Sequence, residues 1–358
     1  MAQFHPLTVT DIKRDTRDSV IVTLAPRPDA TGDFKFIQGQ YLTFRRVFDG
    51  EEMRRSYSIC AGVNDGVLRV GIKKVDGGWF SSWANEELKV GDTLEAMRPT
   101  GNFHSPLKPA EARGYLGFAG GSGITPMISL IRTILGAEPK STFTLVYGNR
   151  STAAIMFREE LEDLKNVYLG RFSIVHVLES EAADIDLFSG RLDRAKCDEL
   201  FARWIDVKGT DLAFICGPEP MMLAVSESLK AHGMDESAIK FELFASAQPG
   251  RAKKKAASGE VAAKGAKCSA TIILDGAARV LELAKGEETV LEAALAASID
   301  APYACKAGVC STCRAKLVEG EVDMEANYAL EDYEVERGYI LTCQSHPRTD
   351  RVVVDYDQ

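Results

Sequence analysis

Apolar and polar positions change their period along the chain. Up to about residue 107, short β-branched runs stand between Gly, Asp and Pro breaks: LTVTDI, SVIVTLAP, QYLTFRRVF, YSICAG and VLRVGIKKV. Such runs predict strands, and several in succession predict a sandwich or barrel. From 114 to 244 the pattern becomes an alternation. YLGFAG, FTLVYGN, FSIVHVL and DLAFICG read as strands, whereas TPMISLIRTIL, AIMFREELEDL, RLDRAKCDELFARW and PMMLAVSESLKAHG read as helices. Apolar strands separated by amphipathic helices predict βαβ units around a parallel sheet. In the last part SATIILDG and AARVLELA predict a hairpin about Asp275–Gly276, TVLEAALAAS a helix, and AKLVEGEV and RVVVDYD further strands.

Residues 245–267 carry one large apolar residue, Val261, and are interrupted by Pro249, Gly250, Gly259 and Gly265. Such a segment cannot anchor a core and predicts a flexible linker. The chain therefore divides into a β-domain (1–107), an α/β domain (108–244), the linker (245–267) and a small α+β domain (268–358). Its 358 residues suit two or three domains at roughly 150 residues each.

Charge adds a constraint. The chain has 43 basic and 52 acidic residues, a net charge of −9, which disfavours non-specific binding to nucleic acid or anionic membranes. The excess is uneven: residues 245–267 hold 6 basic and 1 acidic side chain, whereas 268–358 hold 8 and 17. The acidic C-terminal part is expected to dock on basic patches. No apolar run reaches the roughly 20 residues of a membrane helix, and MAQFHPLTVTDIKRDT has no apolar signal core. A cytoplasmic location is the expectation.

Eight cysteines stand at 60, 197, 216, 268, 305, 310, 313 and 343. Cys305, Cys310 and Cys313 have the spacing C-x4-C-x2-C, with Cys343 further on. This is the spacing of a plant-type [2Fe–2S] site held by four thiolates. Ala304, Ala307, Gly308, Ser311 and Thr312 are small enough to let the backbone approach a cluster. A four-cysteine structural zinc site is the alternative, but it favours paired knuckles. The segment PYACKAGVCSTCRAKLVEGEV…LTCQ resembles plant-type ferredoxins. That resemblance, over about 268–358, implies a β-grasp fold and one-electron carriage.

Upstream, Arg55-Ser56-Tyr57-Ser58 combines a guanidinium suited to a pyrophosphate, a ring able to stack on a flavin and a hydroxyl able to meet a ring nitrogen. Gly77-Gly78-Trp79-Phe80-Ser81 frees backbone N–H groups for phosphate. Gly120-Gly121-Ser122-Gly123-Ile124-Thr125-Pro126 joins a strand to a helix and makes an anion site for a dinucleotide. Cys216-Gly217-Pro218 ends a strand, where parallel sheets place ligands.

Taken in order, RSYS, GGWFS, GGSGITP and CGP resemble the ferredoxin–NADP reductase superfamily over roughly residues 5–244. The resemblance implies an antiparallel Greek-key barrel of six strands for FAD and a nicotinamide domain. It implies Arg55 at the FAD pyrophosphate, Tyr57 stacked on the ring, Ser58 near N5, and Gly78 and Ser81 at the phosphates. It further implies Gly121, Ser122, Gly123, Thr125, Pro126, Gly217 and Pro218 at the nicotinamide dinucleotide. Cys216 and Glu242 would stand beside the hydride-transfer point with Ser58, and Phe244 would cover a flavin face. Phe36-Ile37-Gln38-Gly39-Gln40 departs from the family in lacking Pro before Gly-Gln.

Arg150, after the second strand of the α/β domain, could face a 2′-phosphate, and no acidic residue follows that strand to hold a ribose 2′-hydroxyl. This leans toward NADPH, with NADH as the alternative. Cys60, Cys197 and Cys268 read as small apolar residues, and Met221–Met222 as core. His176 and His232 have no partners at ligand spacing and no metal role.

Reductase, linker and ferredoxin in one chain imply electron flow from NAD(P)H through FAD and the [2Fe–2S] cluster to a separate acceptor. No oxygen-activating motif is present, so an oxygenase component is the expected partner. FDGEEMRRSYSICAG, YGNRS, CGPEPMM, APYACKAGVCSTC and VDMEANYALE…GYILTCQ are similar to the reductase subunits of phenylacetyl-CoA epoxidases. This implies a di-iron epoxidase partner and aerobic phenylacetate catabolism. Reductases of Rieske-type steroid or aromatic-ring hydroxylases share the architecture and stay open as an alternative. A zinc-bearing binding module and a stand-alone diaphorase are more distant readings.

Overall fold

The computed structural model describes residues 3–181, 185–244, 267–330 and 332–358. The predicted linker lies outside the described residues except for Lys267. That residue is the first of a strand, because its backbone pairs opposite Ala284. Two compact units are present, one of His5–Met53 and Tyr57–Phe244, the other including the chain from 267 to its end. Among the described residues no helix is long and apolar enough to cross a membrane.

The first unit opens with strands β1 (His5–Thr16), β2 (Ser19–Pro26), β3 (Tyr41–Phe48), β4 (Glu51–Ser58) and β5 (Leu68–Lys73), helix α1 (Trp79–Glu86) and strand β6 (Thr93–Ala96). They form one six-stranded sheet in the order β4-β3-β6-β1-β2-β5. Ile59, just beyond β4, bridges Val70 on β5, which brings the two outer strands together as a barrel. Val9, Val22, Leu42, Phe44, Ile59, Val70 and Phe80 are among the side chains that fill it.

Two expectations for this part need correction. YSICAG is not a strand of its own: Tyr57 and Ser58 end β4, which begins at Glu51 after a tight turn with Asp49 and Gly50 at φ 49° and 87°. Asp-Gly is a favoured pair for such a turn, and it fixes where the strand starts. The region is also not all strand, because α1 follows the Gly77–Gly78 loop. Its Phe80, Trp83 and Ala84 lie three and four residues apart and face the barrel core.

The α/β part continues with β7 (Gly114–Gly120), α2 (Ile124–Ala137), β8 (Thr142–Asn149), α3 (Arg158–Val167), β9 (Phe172–Leu178), α4 (Arg194–Arg203), β10 (Leu212–Cys216), α5 (Glu219–Ala231) and β11 (Ile239–Glu242). The parallel sheet has the order β11-β10-β7-β8-β9. Helices α2 and α3 pack on one face around Tyr115, Phe143 and Phe214, and α4 and α5 on the other around Phe118, Val175 and Ile215. Helix α3 starts at Arg158 rather than at Ala154, because Phe157 has φ 58° and interrupts the helical path. The edge strand β11 has no counterpart in the sequence reading.

The second unit comprises β12 (Lys267–Leu274), β13 (Ala277–Ala284), α6 (Val290–Ala296), β14 (Arg314–Glu319), β15 (Val322–Met324), α7 (Asp332–Glu336), β16 (Tyr339–Leu341), β17 (Ser345–Pro347) and β18 (Arg351–Asp355). A mixed sheet has the order β13-β12-β18-β14-β16, with β12 and β18 parallel. Asp275 and Gly276, at φ 53° and 71°, turn the predicted hairpin. Helix α6 starts in a capping box between Thr289 and Glu292. Its Val290, Leu291 and Ala294 join the apolar core.

Candidate electron-transfer site

Chain order reverses between β7 and β10, neighbours at the centre of the parallel sheet. The crevice beyond the carboxyl ends of such strands is where open α/β sheets hold ligands. Both candidate loops are there: Gly121–Gly123 after β7 and Gly217–Pro218 after β10. They touch backbone to backbone. A Cβ on Gly123 would stand 2.1 Å from the Cys216 carbonyl oxygen, and one on Gly217 would stand 2.9 Å from Gly120 N. Only glycine fits that approach. Thr125 Oγ1 donates to Ser122 O at 3.0 Å and Tyr147 Oη to Gly121 O at 2.9 Å, so the loop is held from inside. Pro126 is the third residue of α2, where its missing N–H costs no helical bond. Tyr147 was not singled out by sequence; an apolar strand containing one Tyr carries no signal for this role.

Ser58, Cys216 and Glu242 come from three strand ends. Cys216 and Glu242 are register partners on β10 and β11. Ser58 Oγ, at the end of β4, donates to Glu242 Oε2 at 3.1 Å. Burial pushes the Glu242 carboxyl up to about 8, against the smaller opposing effect of the Ser58 hydroxyl. Burial also raises the Cys216 thiol, and the Glu242 charge adds to that. Both shifts favour the neutral forms of the carboxyl and the thiol in this corner. Phe244 packs against the same apolar cluster as Cys216.

On the barrel side, Arg55 is exposed on β4 with Nη1 donating to Arg54 O. The Tyr57 ring is half-buried, 5.5 Å from Phe80 and 6.2 Å from Phe44. Gly77 has φ 69°, and Gly78 precedes α1 without a side-chain cap, leaving first-turn N–H groups open to an anion. A Cβ on Gly78 would meet Ser81 Oγ at 2.6 Å. The Ser81 hydroxyl itself accepts from Val75 N–H and donates to Gly78 O, both at 3.1 Å, closing the loop. Arg150 is exposed just after β8. Nearby, Glu181 accepts from Thr152 N–H and Oγ1, a carboxylate absent from the sequence reading because it arrives from the end of β9.

In the second unit Cys305, Cys310, Cys313 and Cys343 converge. Hydrogen bonds from Cys310 and Cys343 pull the Cys305 thiol down, and one from Cys343 pulls Cys313 down. Cys310 and Cys343 are raised in turn, by Cys305 and, for Cys343, also by Cys313. The surroundings favour negative sulfurs: Ala307 N–H points at Cys305 Sγ at 3.3 Å and Gln344 Nε2 at Cys343 Sγ at 3.5 Å. Gly308, at φ 74°, lets its loop pass the Ala326 carbonyl, which a Cβ would approach to 2.8 Å. Four thiols ringed by small residues and N–H donors fit a thiolate-held iron–sulfur cluster. Cys60, Cys197 and Cys268 are instead fully buried in the apolar clusters, and Met222 is core.

The chain matches three family descriptions in succession: an oxidoreductase FAD-binding domain over residues 6–105, an oxidoreductase NAD-binding domain over 118–227 and a 2Fe-2S iron-sulfur cluster binding domain over 272–348. It is 44% identical to a component of the 1,2-phenylacetyl-CoA epoxidase of Escherichia coli K12, across 100% of this chain and 99% of that one. The chain belongs to the reductase components of oxygenase systems. A second relative in this family is the ferredoxin reductase component of 3-ketosteroid-9-alpha-monooxygenase from Rhodococcus rhodochrous, 32% identical across 98% and 96% of the two chains. The fold is shared with phthalate dioxygenase reductase, with a TM-score of 0.58 at 23% identity and 98% coverage of both chains. As a member of this family the protein is an NAD(P)H-dependent oxidoreductase that uses FAD and a [2Fe-2S] cluster. The 2Fe-2S match sets the zinc alternative aside.

Proposed function

We propose that this reductase supplies electrons from NADPH to a separate di-iron phenylacetyl-CoA epoxidase in aerobic phenylacetate catabolism, in the cytoplasm. The 44% identity across the whole chain to a component of that enzyme carries the reading. The proposed modules are residues 1–107 for FAD, 108–244 for the nicotinamide, 245–267 as linker and 268–358 for the cluster.

When bound, FAD and the [2Fe-2S] cluster convert a two-electron hydride into single electrons. The chain's part is to bind, orient and set protonation. Arg55, Gly78 and Ser81 hold or shape the flavin phosphate site, and the Tyr57 and Phe244 rings confine the isoalloxazine. Gly121, Ser122, Gly123, Thr125, Pro126, Gly217 and Pro218 form the dinucleotide cradle, and Arg150 takes the 2′-phosphate. Ser58, Cys216 and Glu242 line the transfer point, where the neutral Glu242 carboxyl avoids an unpaired buried charge. Cys305, Cys310, Cys313 and Cys343 ligate the cluster.

Reconstitution tests this. The protein with NADPH and the catalytic epoxidase components should consume phenylacetyl-CoA, and a Rieske ketosteroid hydroxylase should stay idle. The opposite pattern favours the second reading, supported by the 32% identical ketosteroid monooxygenase reductase.

A further inference from the structure

We propose that Asp15 and Phe157 are positioning residues that set the glycine-loop end of the nicotinamide domain against the barrel, and so the geometry of hydride transfer. Phe157 has φ 58°, a conformation that a bulky side chain seldom adopts, and its side chain is fully buried. Its N–H donates to both carboxylate oxygens of Asp15, at 3.2 and 3.0 Å. Asp15 lies on β1 of the barrel, 142 residues away in the chain. Burial raises the Asp15 carboxyl, so keeping it here costs free energy that its bonds offset.

From that bond a line of contacts leads to the dinucleotide loop. The Phe157 ring covers Gly71 on β5, where a Cβ would stand 3.1 Å from the ring and 2.8 Å from the Thr125 methyl. Thr125 in turn holds the Ser122 carbonyl. The left-handed turn at Phe157 thus points its N–H at one barrel strand and its ring at another. An ordinary helical start at Ala154 would do neither. Backbone strain held by specific partners is found where geometry matters. A second set of bonds crosses the same boundary, Arg69 to Glu160 at 2.5 Å and Arg132 to Asp65 at 2.6 Å, and within the nicotinamide part Arg132 also reaches Glu160 at 3.0 Å. These carboxylates and guanidiniums resist separation of the two parts. Asp15, Phe157 and Gly71 fix the alignment.

The inference rests on the assignment of flavin and nicotinamide to the two parts. Asp15→Ala should slow anaerobic flavin bleaching by NADPH about 10-fold while the NADP+ dissociation constant moves less than about 2-fold, since misalignment penalises transfer more than binding. Asp15→Asn, whose amide oxygen can accept the same N–H, should restore most of the rate. Gly71→Ala, which intrudes between Phe157 and Thr125, should give the same split and carries the test if Asp15→Ala does not fold. Bleaching at the wild-type rate in the folded variants, or rate and affinity falling in equal measure, overturns the proposal. A wild-type protein whose flavin NADPH does not bleach overturns the underlying assignment instead.

Discussion

Ser58 and Glu242 lie 184 residues apart in the chain, yet their side chains meet at 3.1 Å where the barrel adjoins the nicotinamide sheet. The contact joins a polar hydroxyl to a carboxyl that burial has raised to about 8. Its pH consequence has a definite sign. With a folded pKa above the unfolded one, the native state holds a proton that the unfolded chain releases, so this contribution to stability is lost as pH rises from about 4.5 to about 8. Glu242→Gln should flatten the decline, by up to about 1.4 kcal/mol per pH unit. Urea titrations of both proteins at several pH values check this, and parallel curves would contradict it.

Gly123→Ala places a methyl carbon against a carbonyl oxygen that belongs to the neighbouring strand end and cannot rotate away. We expect a loss of more than about 2 kcal/mol and weak NADPH binding. Gly50→Ala, with open space but φ 87°, should cost about 1 kcal/mol and leave NADPH affinity unchanged. Thermal melts and NADP+ titration distinguish steric from conformational cost.

Cys310→Ser should remove the iron–sulfur absorption and electron delivery to the oxygenase while sparing ferricyanide reduction by NADPH. Joint loss of both activities in a folded, flavin-loaded protein would contradict the proposed electron order.

Arg150→Ala should raise the KM for NADPH about 10-fold and leave that for NADH within about 2-fold, as for the loss of one charge-assisted phosphate contact. Steady-state dye reduction with both cofactors measures it. Equal effects would remove Arg150 from the 2′-phosphate site.

The part from 268 onward carries 17 acidic against 8 basic residues. Turnover with the oxygenase should therefore fall several-fold between about 20 and 300 mM salt, as screening shortens the reach of these charges. Flat turnover would exclude electrostatic docking.

Much of this protein is local and therefore legible in one dimension. The C-x4-C-x2-C spacing, the Asp275–Gly276 turn, the glycine loop ahead of α2 and the three hydrophobic patterns each depend on neighbours within a few residues. Local signals mislead where a remote segment decides the outcome. The apolar AIM triplet before α3 looks helical, but the left-handed Phe157 gives its N–H to Asp15, on a remote strand. Strand β4 starts earlier than its apolar residues suggest because the Asp49–Gly50 turn, not β-propensity, decides its start.

What the sequence determined alone was the order of modules, the cluster spacing and the residue types able to bind phosphate, flavin and iron. The tertiary structure decided which of them meet. Parallel pairing set Cys216 beside Glu242, and barrel closure brought Ser58 to the same corner. The protonation of Glu242 was decided there too. Desolvation belongs to the surroundings that distant segments assemble, and no spacing along the chain encodes it.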